Sequence, residues 1–183
     1  YIVSKTRAEQ AVWDRVDGDD KERLCVINPG FVLGPALDEK LSTSLEVIRL
    51  MLAGAYPALP PISFPIVDVR DLAAIHLAAM TSETVAGRRL VAAGETVSMR
   101  DIAAIIRNAL PAHAKKVPQR ELPIFLVRFI ALFDRQLRSV VNDLGIVPQA
   151  NSGYVTELTG IPFRPAYEAI VSAASSLIDH HLV

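Results

Sequence analysis

Tyr1 and Lys5 stand four positions apart at the head of the stretch Tyr1-Ile2-Val3-Ser4-Lys5-Thr6-Arg7-Ala8-Glu9-Gln10-Ala11. In a helix that spacing puts the phenol and the ammonium on one face. A phenol has a pKa of about 10 in water. A neighbouring cation favours the phenolate and lowers that value. Such a pair can give a proton to, or take one from, an alcohol or carbonyl oxygen near neutral pH. Taken alone, the two residues are explained more cheaply by an amphipathic helix that happens to begin at Tyr1, so the rest of the chain must decide.

Other chemistries find little support. His76 lies among alanines, His113 is isolated, and His180-His181 are adjacent, a spacing that does not share a helix face. No metal set is expected. There is no Gly-x-Ser-x-Gly elbow to present a serine nucleophile, and no Gly-x-Gly-x-x-Gly or Gly-x-x-x-x-Gly-Lys to cradle a pyrophosphate. Asp68, Arg70 and Asp71 make a polar cluster, but helix capping accounts for it. A formal charge of -1 gives no electrostatic case for nucleic acid or an anionic membrane. The one cysteine, Cys25, leaves no intrachain disulfide. It suits a reducing compartment, and the cytoplasm is expected. It reads as a small buried hydrophobe.

The elements that must position Tyr1 and Lys5 follow from periodicity. Residues 1 to 16 read as helix, with Lys5, Ala8, Val12 and Val16 at helical spacing. Asp17-Gly18-Asp19-Asp20 stops it, Gly18 serving as a C-terminal cap. Leu24 to Ile27 is a short apolar run, expected to be a strand covered on both faces. Asn28-Pro29-Gly30 breaks it, and Phe31 to Pro35 reads as an irregular loop where backbone approaches something closely. Leu41, Leu45, Ile48 and Leu52 form the stripe of a second helix, ended by Gly54 and Pro57. Ala58 to Pro61 is extended. A strand is expected over 63–69, a helix over 71–80, and a short strand over 88–92.

Ser98-Met99-Arg100-Asp101 resembles a capping box, followed by a helix with Ile102, Ile105, Ile106 and Ala109 inward. Leu122 to Phe133 is apolar nearly all round but only twelve residues long, short of the roughly 20 needed to span a bilayer. A buried helix or pocket wall is expected. A weaker helix runs from Asn151 to Thr159. The last helix has Pro165 at its first position, with Tyr167, Ile170, Val171, Ala174, Leu177 and Ile178 on its apolar stripe.

Several of these stretches together resemble one family, the extended short-chain dehydrogenase/reductases, which also hold the NAD-dependent epimerases and dehydratases. Tyr1-Ile2-Val3-Ser4-Lys5 with Ala8-Glu9 resembles the family's active-site helix. Asn28-Pro29-Gly30-Phe31-Val32-Leu33-Gly34-Pro35 resembles the loop after its sixth strand. Val67-Asp68-Val69-Arg70-Asp71-Leu72-Ala73 and His76 resemble the strand and helix that follow. Asn151-Ser152 and Leu158-Thr159-Gly160-Ile161-Pro162-Phe163 resemble its tail. The nearest branch is the one similar to dihydroflavonol and aldehyde reductases.

The resemblance implies an α/β fold: the C-terminal portion of a Rossmann-like, doubly wound parallel sheet plus a mostly helical substrate-binding cap. It divides the chain into a dinucleotide-binding remnant, 1–34 and 63–82, and a cap, 35–62 and 83–183. It implies Tyr1 as proton donor to a substrate carbonyl and Lys5 as its partner, hydrogen-bonded to the nicotinamide ribose. Both would touch the cofactor, NADP or NAD, as would Pro29, Gly30, Phe31 and Val32. Asn28, Phe31, Tyr56 and Phe64 would line the substrate pocket.

The family's glycine-rich phosphate loop and its carbonyl-polarising Ser or Thr precede the catalytic helix, and neither is in this sequence. The expectation is therefore the C-terminal part of an NAD(P)H-dependent ketone or aldehyde reductase, inert alone. Its partners would be a small carbonyl compound and a missing N-terminal half, or else a second chain, with a homodimer burying the exposed strand edge. Two alternatives stay open: a sugar-nucleotide epimerase or dehydratase, and a non-catalytic dinucleotide sensor or scaffold.

Overall fold

A computed structural model describes residues 2–134, 138 and 140–183. Helix α1, Ile2–Arg15, is followed by the short helix α2, Asp19–Arg23. Gly18 does not cap α1. Its φ of +56° turns the chain directly into α2, whose first turn gathers Asp19 and Asp20 at the positive end of the helix dipole.

Strand β1, Val26–Pro29, runs parallel to β4, Arg89–Ala92, with Ile27 opposite Leu90 and Pro29 opposite Ala92. It is not covered on both faces as its apolar run suggested: Val26 to Asn28 are half-buried and Pro29 is exposed. Among the described residues β4 is its only strand partner. Cys25, just ahead of it, is half-buried rather than buried, and desolvation pushes its thiol pKa up.

Phe31 to Pro35 is not an irregular loop either. Phe31–Leu33 forms strand β2, parallel to β3, Ser63–Asp68, with Phe31 opposite Ile66 and Leu33 opposite Asp68. On its other side β3 pairs antiparallel with a strand the sequence reading lacked, β5, Thr96–Ser98. Strand β4 pairs with β1, so residues 26–29 and 89–92 lie in one two-stranded sheet.

The helices begin and end where local chemistry directs. Ser42 accepts from the Leu45 N–H to open α3, Thr43–Ala53, and Gly54 closes it in the left-handed region at φ +73°. Asp68 opens α4, Val69–Thr81, two residues earlier than expected. Ser98 opens α5, Met99–Ala109, accepting from Asp101 N–H while its hydroxyl donates to the Asp101 carboxylate at 2.6 Å.

The main core is organised by the C-terminal helix Ala166–Asp179. It packs on β2, β3, α3 and α5. Ala166, Ala169, Ala173 and Ala174 allow close approach, and Ile170 and Leu177 fill in against Ile48, Met51 and Ile106. Tyr167 is not part of that stripe. It is 53% exposed, one position beyond the face that meets the sheet. Pro165 sits just before the helix rather than at its first position.

The apolar run from Leu122 is not a buried helix, although Leu122 and Ile130 do form part of a cavity wall. Only Ile124–Ile130 forms helix, α6, and only Val127 of it is buried. Phe125, Phe129 and Phe133 are exposed. A seven-residue helix can turn one apolar stripe inward, so an all-round apolar sequence leaves the rest outside. Among the described residues no helix is long and apolar enough to cross a membrane.

Candidate functional site

The site is built where the chain passes from one sheet to the other. Pro29 ends β1 opposite Ala92, the Gly30 N–H donates to the Ala92 carbonyl at 2.9 Å, and Phe31 begins β2 opposite Ile66. A Cβ on Gly30 would lie 2.2 Å from the Pro65 carbonyl oxygen and 3.0 Å from Ala93 Cβ. Glycine is therefore demanded by close packing of backbone on backbone.

Beside this crossing lies a cavity of about 890 Å³. Its walls are the Asn28–Val32 segment, Lys5 of α1, the start of α3 at Ser42, Thr43 and Ser44, and Phe64 with Pro65 of β3. The Phe31 and Phe64 rings stack at 4.3 Å and 19°, fixing one wall. Ser44 donates to the Val32 carbonyl at 2.5 Å, with its hydroxyl 3.0 Å from that of Ser42. That pair pins α3 to β2.

Lys5 reaches the cavity because α1 is tethered one turn further on. Glu9 accepts from Arg89 Nε at 2.6 Å and from Asn28 Nδ2 at 3.3 Å. The Arg89 hydrogen bond is the main cause holding the Glu9 carboxyl below its ordinary pKa, against an opposing push from desolvation.

Lys5, Asn28, Pro29, Gly30, Phe31, Val32 and Phe64 thus share one cavity. Tyr1 lies outside the described residues. Tyr56 is elsewhere: it lines a second cavity of about 520 Å³, and among the described residues Phe64 borders both cavities. Burial, then the Glu46 carboxylate, pushes its phenol pKa up. The seryl and threonyl start of α3 was not singled out from the sequence, although Ser-Thr-Ser ahead of an apolar stripe is a helix-start signal.

The polar cluster at 68–71 is structural. Asp68 is buried and accepts from the backbone and the guanidinium of Arg70. Burial pushes its carboxyl up, but these hydrogen bonds outweigh it and hold the pKa below the usual value. Asp71 is paired with Arg164.

A cation beside backbone amides and stacked rings can stabilise negative charge developing on a substrate oxygen.

No protein-family model matches the chain. A ketoreductase of Aspergillus niger is 35% identical over 143 residues, which is 73% of this chain and 42% of that protein. A cinnamoyl-CoA reductase of Medicago truncatula is 33% identical over 112 residues, 61% of this chain and 33% of the relative. The NADPH-dependent methylglyoxal reductase of Saccharomyces cerevisiae is 30% identical over 127 residues, 64% and 37%. Among solved structures, yeast methylglyoxal/isovaleraldehyde reductase complexed with NADPH superposes over 98% of this chain and 55% of its own, with a TM-score of 0.72 at 22% identity. Vestitone reductase from alfalfa covers 99% and 52%, with a TM-score of 0.70 at 17% identity. The chain spans between a third and a little over half the length of these proteins.

Proposed function

We infer the function of this chain from its place among the extended short-chain dehydrogenase/reductases, whose fold it carries and to whose reductases it is related in sequence. We propose that it supplies the carbonyl-binding and proton-donating part of an NADPH-dependent reductase of ketones or aldehydes, acting in the cytoplasm. The observation that carries this is the meeting of Lys5, the Asn28–Val32 segment and the Phe31–Phe64 stack in one cavity.

NADPH, when bound, supplies the hydride. The backbone of Pro29 to Val32 holds the nicotinamide end, and Gly30 lets the two sheets close behind it. Tyr1, four positions before Lys5 in sequence, gives its phenolic proton to the carbonyl oxygen. Lys5 stabilises the phenolate left behind and selectively lowers the barrier. Phe31 and Phe64 shield the site from water. The phosphate-binding portion of the reductase comes from polypeptide outside residues 1–183 or from a second chain. We propose that 1–34 and 63–82 face that portion, and that 35–62 and 83–183 form the substrate side.

The reading is tested by NADPH oxidation with the full polypeptide that carries this chain. Tyr1→Phe should lower kcat by about a hundredfold to ten-thousandfold. Lys5→Met should move the acidic proton donor's pKa upward and shift the kcat profile to higher pH. Full activity of Tyr1→Phe would remove the assigned acid. The 183-residue chain alone should not be stabilised against heat by NADPH; a clear rise in Tm would contradict its dependence on the missing part.

A further inference from the structure

We propose that the outer face of α6 docks on a lipid bilayer, its occupant a membrane leaflet that carries anionic headgroups. The protein lies on that leaflet and does not cross it. The inference is independent of the reductase reading.

The face is apolar and turned away from the core. Phe125, Phe129 and Phe133 are 74%, 61% and 82% exposed. At about 150–250 Å² for a ring side chain, they leave roughly 400 Å² of aromatic surface in water. Phe125, Phe129 and Leu132 follow at i, i+4 and i+7, the spacing of one helix face. Main-chain bonds from Ala131 to Val127 and from Asp134 to Ile130 carry the turn past the end of α6. Exposed Ile146 and Val147 extend the patch from a second segment. They follow Gly145, where an added Cβ would lie 3.0 Å from Ile124 Cδ1. Together these side chains reach the size that marks an interaction surface.

Charge decides what covers it. Residues 107–138 hold seven lysines and arginines against two acids, Glu121 and Asp134, a net +5 in a chain whose total is -1. The balance of the whole chain hides this local excess. Arg128 stands three positions after Phe125, on the same helix face. It is exposed and makes no ion pair among the described residues. Arg138 donates to the Ala131 and Leu132 carbonyls at 3.2 and 2.6 Å, which holds a second exposed guanidinium beside Leu132. Lys115, Lys116 and Arg120, on the chain leading into α6, are exposed as well.

Under a protein surface Arg128 would lose its water, a cost offset only by a carboxylate placed to face it. At a headgroup layer the phenylalanines enter the acyl boundary while the guanidinium stays among the phosphates. Apolar area and a group of cations are the two contributions from which peripheral binding is built. A helix of seven residues is far short of the roughly 20 that span a bilayer, so α6 lies in the plane of the interface.

The experiment is co-sedimentation of the full polypeptide that carries this chain with lipid vesicles, in the absence of cofactor and substrate. One set is phosphatidylcholine alone, and the other adds about 30% phosphatidylserine. Binding to the anionic set should be tighter by about tenfold or more, and should weaken as salt is raised from about 50 to about 500 mM. Arg128→Gln should weaken it about fivefold. Phe125→Ser combined with Phe129→Ser should weaken it about tenfold or more. Both variants should unfold within about 4 °C of the unmodified protein, since exposed positions tolerate substitution.

No binding to anionic vesicles, equal binding to both sets, or binding indifferent to both variants overturns the proposal. A serine variant that does not fold, or whose Tm falls by more than about 4 °C, also overturns it, because the face is then covered by the rest of its own polypeptide. Sedimentation velocity that finds a dimer in the unmodified protein and a monomer in the serine variant would assign the face to a second copy instead.

Discussion

Glu9 and Arg89, eighty positions apart, meet at 2.6 Å and tie the helix that carries Lys5 to strand β4. The same carboxylate takes the side-chain amide of Asn28 from β1 and the indole N–H of Trp13 from its own helix. Little else seats α1 against the described residues, since Val3 and Val12 on it are exposed. The direction of Lys5 thus depends on polar contacts more than on packing.

The first prediction follows from that tie. Arg89 is 56% exposed at its side chain, so the pair should contribute less than about 1 kcal/mol. Its pH dependence is more diagnostic than its size. The Glu9 carboxyl is held below its ordinary pKa when folded. Its contribution should be fully present above the unfolded value, about 4.3, and lost as pH falls through the lower folded value. Urea unfolding of the chain and of Glu9→Gln should therefore show a gap that is constant near neutrality and shrinks in acid. A gap that widens on acidification would contradict the assignment. The same variant should lower kcat of the full polypeptide, because Lys5 loses its tether.

Gly30→Ala should be among the most damaging single-methyl additions in the chain. The new Cβ meets a main-chain oxygen at 2.2 Å, and backbone cannot swing aside as a side chain can. A loss of about 1–3 kcal/mol or more is expected, as for overpacked cores. Gly153→Ala is the control. It opens a helix with nothing within 4 Å of the new methyl, so it should be neutral or stabilise by about 0.4–1 kcal/mol. Chemical unfolding of the two variants side by side checks both. Equal stabilities would mean that the strand crossing is not as tight as described.

What the sequence disclosed and what it hid divide along a physical line. Caps at Gly54, Asp68 and Ser98 rest on local hydrogen bonds or left-handed φ, and the residue types point to each of these ends. The grouping of Lys5, Asn28–Val32 and Phe64 in one cavity was anticipated only through the family resemblance, since no local pattern brings an α1 lysine and a β3 phenylalanine to the Asn-Pro-Gly turn. Periodicity reveals which residues are apolar, not what is available to cover them. Hence the exposed phenylalanines of α6, the exposed Tyr167 and the half-covered β1. Strand β5 is three residues long and merges into the Ser98 cap, so it carries no periodic signal of its own. Tyr56 could not be assigned to the second cavity from sequence, because tertiary packing is what sets Phe64 at the border of both cavities.

Asp68 yields a prediction that opposes burial to hydrogen bonding. A buried carboxyl should titrate high, yet here Arg70 wins and the pKa is lowered. The stabilisation is therefore present above the unfolded pKa of about 3.9 and disappears as pH falls through the folded one. Asp68→Ala, measured near neutrality, removes a helix cap worth about 0.5–2 kcal/mol. Asp68→Ser keeps a capping oxygen and should recover part of the loss. If serine and alanine are equally destabilised, capping of α4 is not what Asp68 contributes.

The pair of Asp71 and Arg164 fixes how the central helix of the core enters the fold. Asp71, in the first turn of α4, is 3% exposed, and it accepts from the Arg164 backbone N–H at 2.7 Å as well as from its guanidinium. Arg164 immediately precedes Pro165 and the helix Ala166–Asp179. Removing the carboxylate leaves a backbone donor without its acceptor, but the guanidinium, at 40% side-chain exposure, can turn to water. The cost of Asp71→Ala should thus fall near 1.5–3 kcal/mol, the range for hydrogen bonds to charged groups, and below the 3–5 kcal/mol of a fully buried pair broken on one side. Asp71→Asn retains an acceptor for the N–H and should lose about half as much. Arg164→Met removes the charge but leaves the backbone bond, so a double-mutant cycle with Asp71→Ala isolates the side-chain coupling at about 1 kcal/mol. Stability of Asp71→Ala within about 0.5 kcal/mol of the unmodified chain, the range of ordinary surface substitutions, would show that the last helix is seated by its alanine face alone.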